Sequence, residues 1–215
     1  MSITPLRLPT QVIYFGWIIA ESLQTICRIL MSYLLLFLIL FLPFNVKFLQ
    51  WGSGLLDHST VNLSIRTNAA DDALAIIFSG KIHSNIYNEN ELSHLFDVRT
   101  DIFGVLVASM IVAVVLVYFL LNRPGFQVLN TVKILSYVAT GLGVFTVLTI
   151  IFFSPSFELF HRLLFPQGNY AFPATSPLIQ AFPPSFWMLE YVCLQTGAIL
   201  LILLQAWYVH HHAQD

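Results

Sequence analysis

Residues Ile102–Leu121 read IFGVLVASMIVAVVLVYFLL, a run without a charged side chain. A hydrocarbon core about 30 Å thick is crossed by roughly 20 residues of α-helix. Inside lipid no water can satisfy a bare N–H or C=O, so such a run predicts a helix that closes its own hydrogen bonds. The same reading extends outward along the chain. Ile134–Phe153, ILSYVATGLGVFTVLTIIFF, is equally long and also carries no charge. Phe186–Tyr208 is long enough and carries one charge, Glu190. Ile29–Phe44 is apolar apart from Ser32 but short, so a span there must borrow residues from Ile26 or reach toward Lys47. Spans are therefore expected at about 26–48, 102–121, 134–153 and 186–208. The fold class that follows is an all-α membrane protein, with four transmembrane helices forming one domain over residues 26–210. A cytoplasmic or interfacial segment, 1–25, precedes it and a short tail, 211–215, follows.

Composition agrees with this. The chain has 215 residues, 57% hydrophobic and 9% charged, where a soluble domain is about a quarter charged. Its formal net charge of −2 argues against a nucleic-acid partner, which calls for a basic surface. Cys27 and Cys193 are expected at different depths, which disfavours a disulfide, and there is no C-x-x-C. No A-x-A-like site follows the first apolar run, so that run reads as an anchor.

Four spans place loops 49–101 and 154–185 on the same side of the membrane. Arg7, Arg28, Arg123 and Lys133 fall on the opposite side, more densely than Lys47, Arg66, Lys81, Arg99 and Arg162 fall on the loop side. The positive-inside rule then makes both loops extracytoplasmic. Val12–Ala20, apolar until Glu21 and Gln24, fits an interfacial helix or a cytoplasmic extension of the first span. In the first loop, Val61–Arg66 alternates apolar and polar as a half-exposed strand does, so a short β element is expected there. Asp71–Phe78 reads as a short helix ending near Gly80. NENELSHLFDV begins with capping asparagines, Asn88 or Asn90, and predicts a helix running directly into the second span. In the second loop Pro155 starts an expected helix that Pro166 and Gly168 end. Its polar residues Glu158, His161 and Arg162 are expected on one face, and Phe157, Phe160, Leu163 and Leu164 on the other, as suits a helix lying along the interface.

Two polar constellations thus face each other at the same membrane surface. His94, Asp97, Arg99 and Asp101 stand at the mouth of the second span, and Glu158, His161, Arg162, Gln167 and Asn169 lead to the fourth. Histidine exchanges a proton near neutral pH, so two of them on separate segments can divide the work of base and acid or oxyanion donor. Arginines at headgroup depth can hold phosphate or ester oxygens. The plainer reading of each is a polar residue facing water or headgroups. Glu158 with Arg162 reads as a structural i, i+4 pair, and His58 and His83 read as solvated. Glu190, a carboxyl about one turn inside a span, is costly there unless it is paired, functional or reaching the interface. It could orient a histidine or pair with Arg99 or Arg162. A serine nucleophile lacks its G-x-S-x-G elbow. Cys193, expected to be buried, lacks an activating cation. His94 and His161 without a close third ligand make a weak metal site.

ELSHLFDVRTDI leading into one span, and FHRLLFPQGNYAFP followed by LIQAFPPSFW leading into another, resemble the bacterial lipoprotein intramolecular transacylase family, the Lit proteins. The likeness covers the span order and most of residues 25–210. It implies a four-span enzyme of the bacterial cell membrane, acting at the extracytoplasmic face without a cofactor. Its substrates would be diacylglyceryl-modified lipoproteins among membrane lipids. The sn-2 acyl chain would move to the α-amino group of the N-terminal cysteine, giving the lyso-form lipoprotein. The H-L-x-D-V and F-P-Q-G-N elements place the family's catalytic pair on His94 and His161. Under the resemblance His94 is assigned as base and His161 as oxyanion donor, an order the sequence does not itself decide. Arg99, Arg162, Gln167, Asn169 and Tyr170 are the candidates for placing substrate, with Asp97 and Glu190 in support. The competing readings are a non-catalytic four-span scaffold and another membrane lipid acyltransferase or hydrolase.

Overall fold

The computed structural model describes residues 10–57, 62–122 and 128–211. The sequence readings made for residues 1–9, His58, Val61, Arg123 and the tail from residue 212 lie outside them. The described residues form eight helices and no strand: α1 (Thr10–Leu40), α2 (Pro43–Leu56), α3 (Leu63–Ser79), α4 (Glu89–Asn122), α5 (Val128–Ile151), α6 (Phe153–Leu164), α7 (Pro177–Ala181) and α8 (Pro184–His211). Four of them are long and apolar enough to cross a membrane, over Ile19–Leu40, Glu89–Phe119, Thr131–Ile151 and Pro184–His211.

Two expectations are corrected. The short β element does not form among its described residues, 62–66, because Asn62 caps a helix instead: its side chain accepts the Ser64 N–H at 2.9 Å, and α3 runs on through Arg66. An amphipathic alternation over six residues is too short to outweigh a good N-cap. The first span does not run forward past Phe44 but backward from Leu40. Pro43 holds Leu42 extended (φ −64°, ψ 139°) and opens α2, since the residue before proline is forced out of the helical region. The apolar stretch before Glu21 is one continuous helix with the span.

Other expectations stand. Asn88 caps α4, which continues unbroken into the second span. The Glu91 N–H donates to Asn88 Oδ1 (3.0 Å) while the Asn88 N–H donates to Glu91 Oε2 (2.8 Å). That reciprocal pair is a capping box. Glu91 is 1% exposed, and its other oxygen accepts the Ser176 hydroxyl, which itself caps α7. One carboxylate thus ties the start of α4 to the start of α7.

The spans pack with α1 between α4 and α8, and α5 against α8. Gly197 allows close contact between α8 and α1, since an added Cβ would stand 3.1 Å from Leu36. Tyr33 donates to Gln195 Oε1 (2.7 Å) and Gln205 to Ser32 Oγ (2.9 Å), the kind of polar contact that joins helices in lipid. Of the small residues Gly104, Ala139 and Gly143, only Ala139 is buried; a Cβ on either glycine would meet open space. Cys27 and Cys193 are free thiols, and Cys193 is exposed on α8 rather than buried.

A larger apolar core lies at one end of the bundle, where α2, α3 and α7 pack with the first turns of α4 and α8 around Leu49, Ala73, Ile76, Leu95, Ala181 and Phe186. Helix α6 leaves the end of α5 at Phe152. All the inter-span segments that carry candidate site residues therefore meet at that end.

Candidate active site

His94 stands in the second turn of α4, on the buried stripe Glu91, His94, Leu95, Ile102. The capping box sets the start of that helix and so the azimuth of the ring. On α6 and its C-cap the inward residues are Phe157, His161 and then Phe165, at i, i+4 and i+8. Leu159, Phe160, Leu163 and Leu164 point out as an exposed apolar surface. This revises the expected division of α6: His161 does not share the outer face of Glu158 and Arg162 but turns inward with Phe157.

The two imidazoles are each 8% exposed, with ring centroids 6.3 Å apart and planes inclined by 26°. His94 is packed by Phe165 (4.5 Å) and Phe172 (5.7 Å). His161 is packed by Phe157 (4.1 Å) and Tyr170 (5.3 Å). His161 Nδ1 lies 2.8 Å from the Phe157 carbonyl oxygen. A carbonyl only accepts, so Nδ1 carries the hydrogen and the lone pair of the neutral ring is on Nε2. Burial pushes the His161 pKa below the ordinary histidine value, against an opposing pull from the Phe157 carbonyl. That direction favours the neutral ring over the imidazolium. His94 Nδ1 is buried with no hydrogen-bond partner.

Both rings line a pocket walled by the end of α1, by α2, α3, α4, α6, α7 and α8. Its polar lining is His94, His161, Tyr170 and Glu190, and the remainder is aliphatic, aromatic or proline. Glu190 does not pair with Arg99 or Arg162 among the described residues; its Oε1 is buried and without a partner.

The other expected residues frame the pocket rather than line it. Gln167 donates to Asp97 Oδ2 at 2.8 Å, and Asn169 donates to the same oxygen at 2.6 Å and to Ser93 Oγ at 3.2 Å. Asp97 thus clamps the loop after α6 onto α4. The loop reaches it through a turn in which the Gly168 N–H bonds the Phe165 carbonyl (2.9 Å) and Gly168 takes φ 81°, a conformation that side chains disfavour. Arg162 pairs with Glu158 at 2.5 Å on the outer surface. Arg99 is elsewhere. Its guanidinium donates to the Ile77 carbonyl at 2.6 Å and lies over Phe103 at 4.6 Å. It caps the C-terminal end of α3 and does not line the pocket.

Two buried charged residues escaped the sequence reading. Glu91 had a readable signal, the N-x-x-E spacing before an apolar run. Arg66, 2% exposed, had none. It donates to Ser53 Oγ (2.7 Å) and the Gln180 carbonyl (3.1 Å), tying α3 to α2 and α7.

The sequence matches the family model described as lipoprotein intramolecular transacylase Lit over residues 25–187. No curated protein matches the chain in sequence. Among solved structures, the fold is similar to the membrane-integral lipoprotein intramolecular transacylase Lit from Bacillus cereus: TM-score 0.71, 18% identity, covering 94% of this chain and 99% of that one. Two further structures of the Bacillus cereus protein are variants in which one histidine is replaced. The arginine variant matches with TM-score 0.65 at 15% identity, covering 95% of this chain and 97% of that one. The alanine variant matches with TM-score 0.63 at 16% identity, covering 94% of each.

Proposed function

The chain belongs to the lipoprotein intramolecular transacylase Lit family, and from that premise we propose that His94 and His161 carry out the acyl transfer at the extracytoplasmic membrane surface. The protein is a multi-pass membrane acyltransferase whose substrates are lipoproteins. The reaction takes the sn-2 acyl group of a diacylglyceryl lipoprotein to the α-amino nitrogen of its N-terminal cysteine. The acyl C–O bond to glycerol breaks, a C–N amide bond forms, and the sn-2 oxygen stays on glycerol and takes a proton to become a hydroxyl. Starting from the ammonium, one proton is released overall.

The observation that carries the roles is the Nδ1–H bond of His161 to the Phe157 carbonyl. It leaves Nε2 as the lone-pair atom, so His161 is read as the base. The amine attacks the ester, His161 Nε2 takes its proton, and the imidazolium returns a proton to the departing glycerol oxygen. His94 is then the donor that steadies the tetrahedral oxyanion, since a neutral imidazole always retains one N–H. This reverses the order assigned from the resemblance. Attacker and ester belong to one substrate, so placement supplies much of the rate and no acyl-enzyme is needed. Tyr170, on the pocket wall beside His161, is read as placing the substrate. Arg162, Gln167 and Asn169 are read as the rim it passes. The extracytoplasmic assignment is supported by the denser Arg and Lys at the other end of the spans.

Mass spectrometry of lipoprotein N-terminal peptides tests the reading. The host is a bacterium with diacylglyceryl lipoproteins and no N-acylating enzyme. Expression of the chain is expected to yield an acyl group on the cysteine nitrogen and one fewer on glycerol. A well-expressed chain that leaves lipoproteins diacylated on glycerol would defeat it.

The loop clamp has its own consequence. Asp97→Ala removes the acceptor shared by Gln167 and Asn169, freeing the segment that presents Tyr170. A small misplacement of a reacting group costs on the order of 10²-fold. Transfer is expected to slow by roughly 10- to 100-fold while the melting temperature hardly moves, measured as single-turnover conversion in detergent.

A further inference from the structure

We propose that Glu190 is the recognition group for the free α-ammonium of the lipoprotein's N-terminal cysteine. This deepens the transacylase reading and rests on it.

The argument begins with what is missing around the carboxyl. Glu190 lies in the second turn of α8 and lines the same pocket as the two histidines. Its Oε1 is buried without a hydrogen-bond partner. A carboxylate oxygen in such a place is expensive unless something donates to it. Four of the cations on the loop side of the spans are committed to other partners: Lys47 to Asp71 at 2.9 Å, Arg162 to Glu158 at 2.5 Å, Arg99 to the Ile77 carbonyl and Arg66 to Ser53 and the Gln180 carbonyl. Among the described residues, no lysine or arginine lines the pocket.

The rest of the wall narrows the ligand. The pocket that Glu190 shares is largely apolar and aromatic, with Phe157, Phe172, Phe182, Phe186 and Trp187 in its lining. Aromatic faces attract a cation, and more strongly when water is excluded. One carboxylate set among aromatic rings fits a compact ammonium on an otherwise greasy molecule. The substrate has that form: a primary ammonium beside two acyl chains. Recognition by Glu190 holds the nitrogen in the histidine-lined pocket. It also explains how the enzyme tells a free amine from an acylated product, which has no charge for the carboxylate to hold.

The test is a binding measurement on the full chain in detergent micelles. The probe is a fluorescent cysteinyl peptide carrying a glyceryl group with two ether-linked chains, which cannot react. It is used with its amine free and with its amine acetylated. Wild type is expected to bind the free amine at least tenfold more tightly than the acetylated probe. Glu190→Gln is expected to lose that preference while holding the acetylated probe as wild type does, and Glu190→Asp to recover part of it. Equal binding of both probes by wild type would overturn the assignment, and so would a preference that survives in Glu190→Gln. Equal weakening of both probes in that variant would make Glu190 a structural residue. Wild type binding neither probe would overturn the assignment together with the lipoprotein reading.

Discussion

His161→Ala is expected to slow acyl transfer by roughly 10²–10⁴-fold, the usual worth of a positioned general base. Its partner His94→Ala is expected to lose about 10²–10³-fold, as when one oxyanion donor is removed. The two losses should not add, because groups that act on one transition state fail together. Single-turnover kinetics on a purified diacylglyceryl lipopeptide, with each variant's membrane level matched to wild type, reads both. Unchanged rates in either variant would remove that histidine from the mechanism. The pH profile supplies a separate check. Burial lowers the His161 pKa, so the base stays unprotonated below the ordinary pKa of about 6.5. Activity should therefore persist through pH 6.5 and fail only on further acidification. The apparent pKa belongs to the pair, since the rings lie 6.3 Å apart and the first proton disfavours the second. Stability has the same sign. Below pH about 6.5 the unfolded chain binds a proton at His161 that the folded chain resists. The folded state is thus favoured above that pH and loses ground as the pH falls through it.

The largest expected stability loss is at Arg66, which does not line the pocket. Arg66→Met keeps much of the volume but leaves the Gln180 carbonyl and Ser53 Oγ without their donor. Each buried acceptor so orphaned costs about 1–3 kcal/mol. A total near 3 kcal/mol corresponds to a melting temperature lower by roughly 10 °C. The chain has made room for this group. A Cβ on Gly54 would come within 2.8 Å of the guanidinium, and Gln50, fully buried, bonds both the Arg66 and Ala181 carbonyls. Lys47→Ala is the contrast. Its ion pair with Asp71 is about half exposed, and such a surface pair contributes at most about 1 kcal/mol. Thermal inactivation of the two variants in the same detergent separates the cases. A melting temperature for Arg66→Met within a degree or two of wild type would show the buried network to be dispensable.

What could be read along the chain was whatever depends on one segment and its solvent. Lipid demands long apolar helices, so Ile102–Leu121 and its counterparts announced the spans. Pro155 and the NENEL cap announced α6 and the start of α4, because caps and prolines act within a turn. Tyr170 and both histidines were legible as candidates because polar residues between greasy runs are few. The forward limit of the first span differs from the expected 26–48 because Pro43 forces Leu42 out of the helix. The remainder depended on which segments meet. Only packing turned His161 away from its helical neighbours Glu158 and Arg162 and set it 6.3 Å from His94. Arg99 went to the end of α3 because Ile77's carbonyl was there to receive it. Asp97 became a clamp because Gly168 turned the loop back onto α4. Arg66 was drawn into the interior because donors on α3 met acceptors on α2 and α7. Those outcomes follow from burial, which makes every polar group find a partner in three dimensions, wherever that partner lies in the sequence.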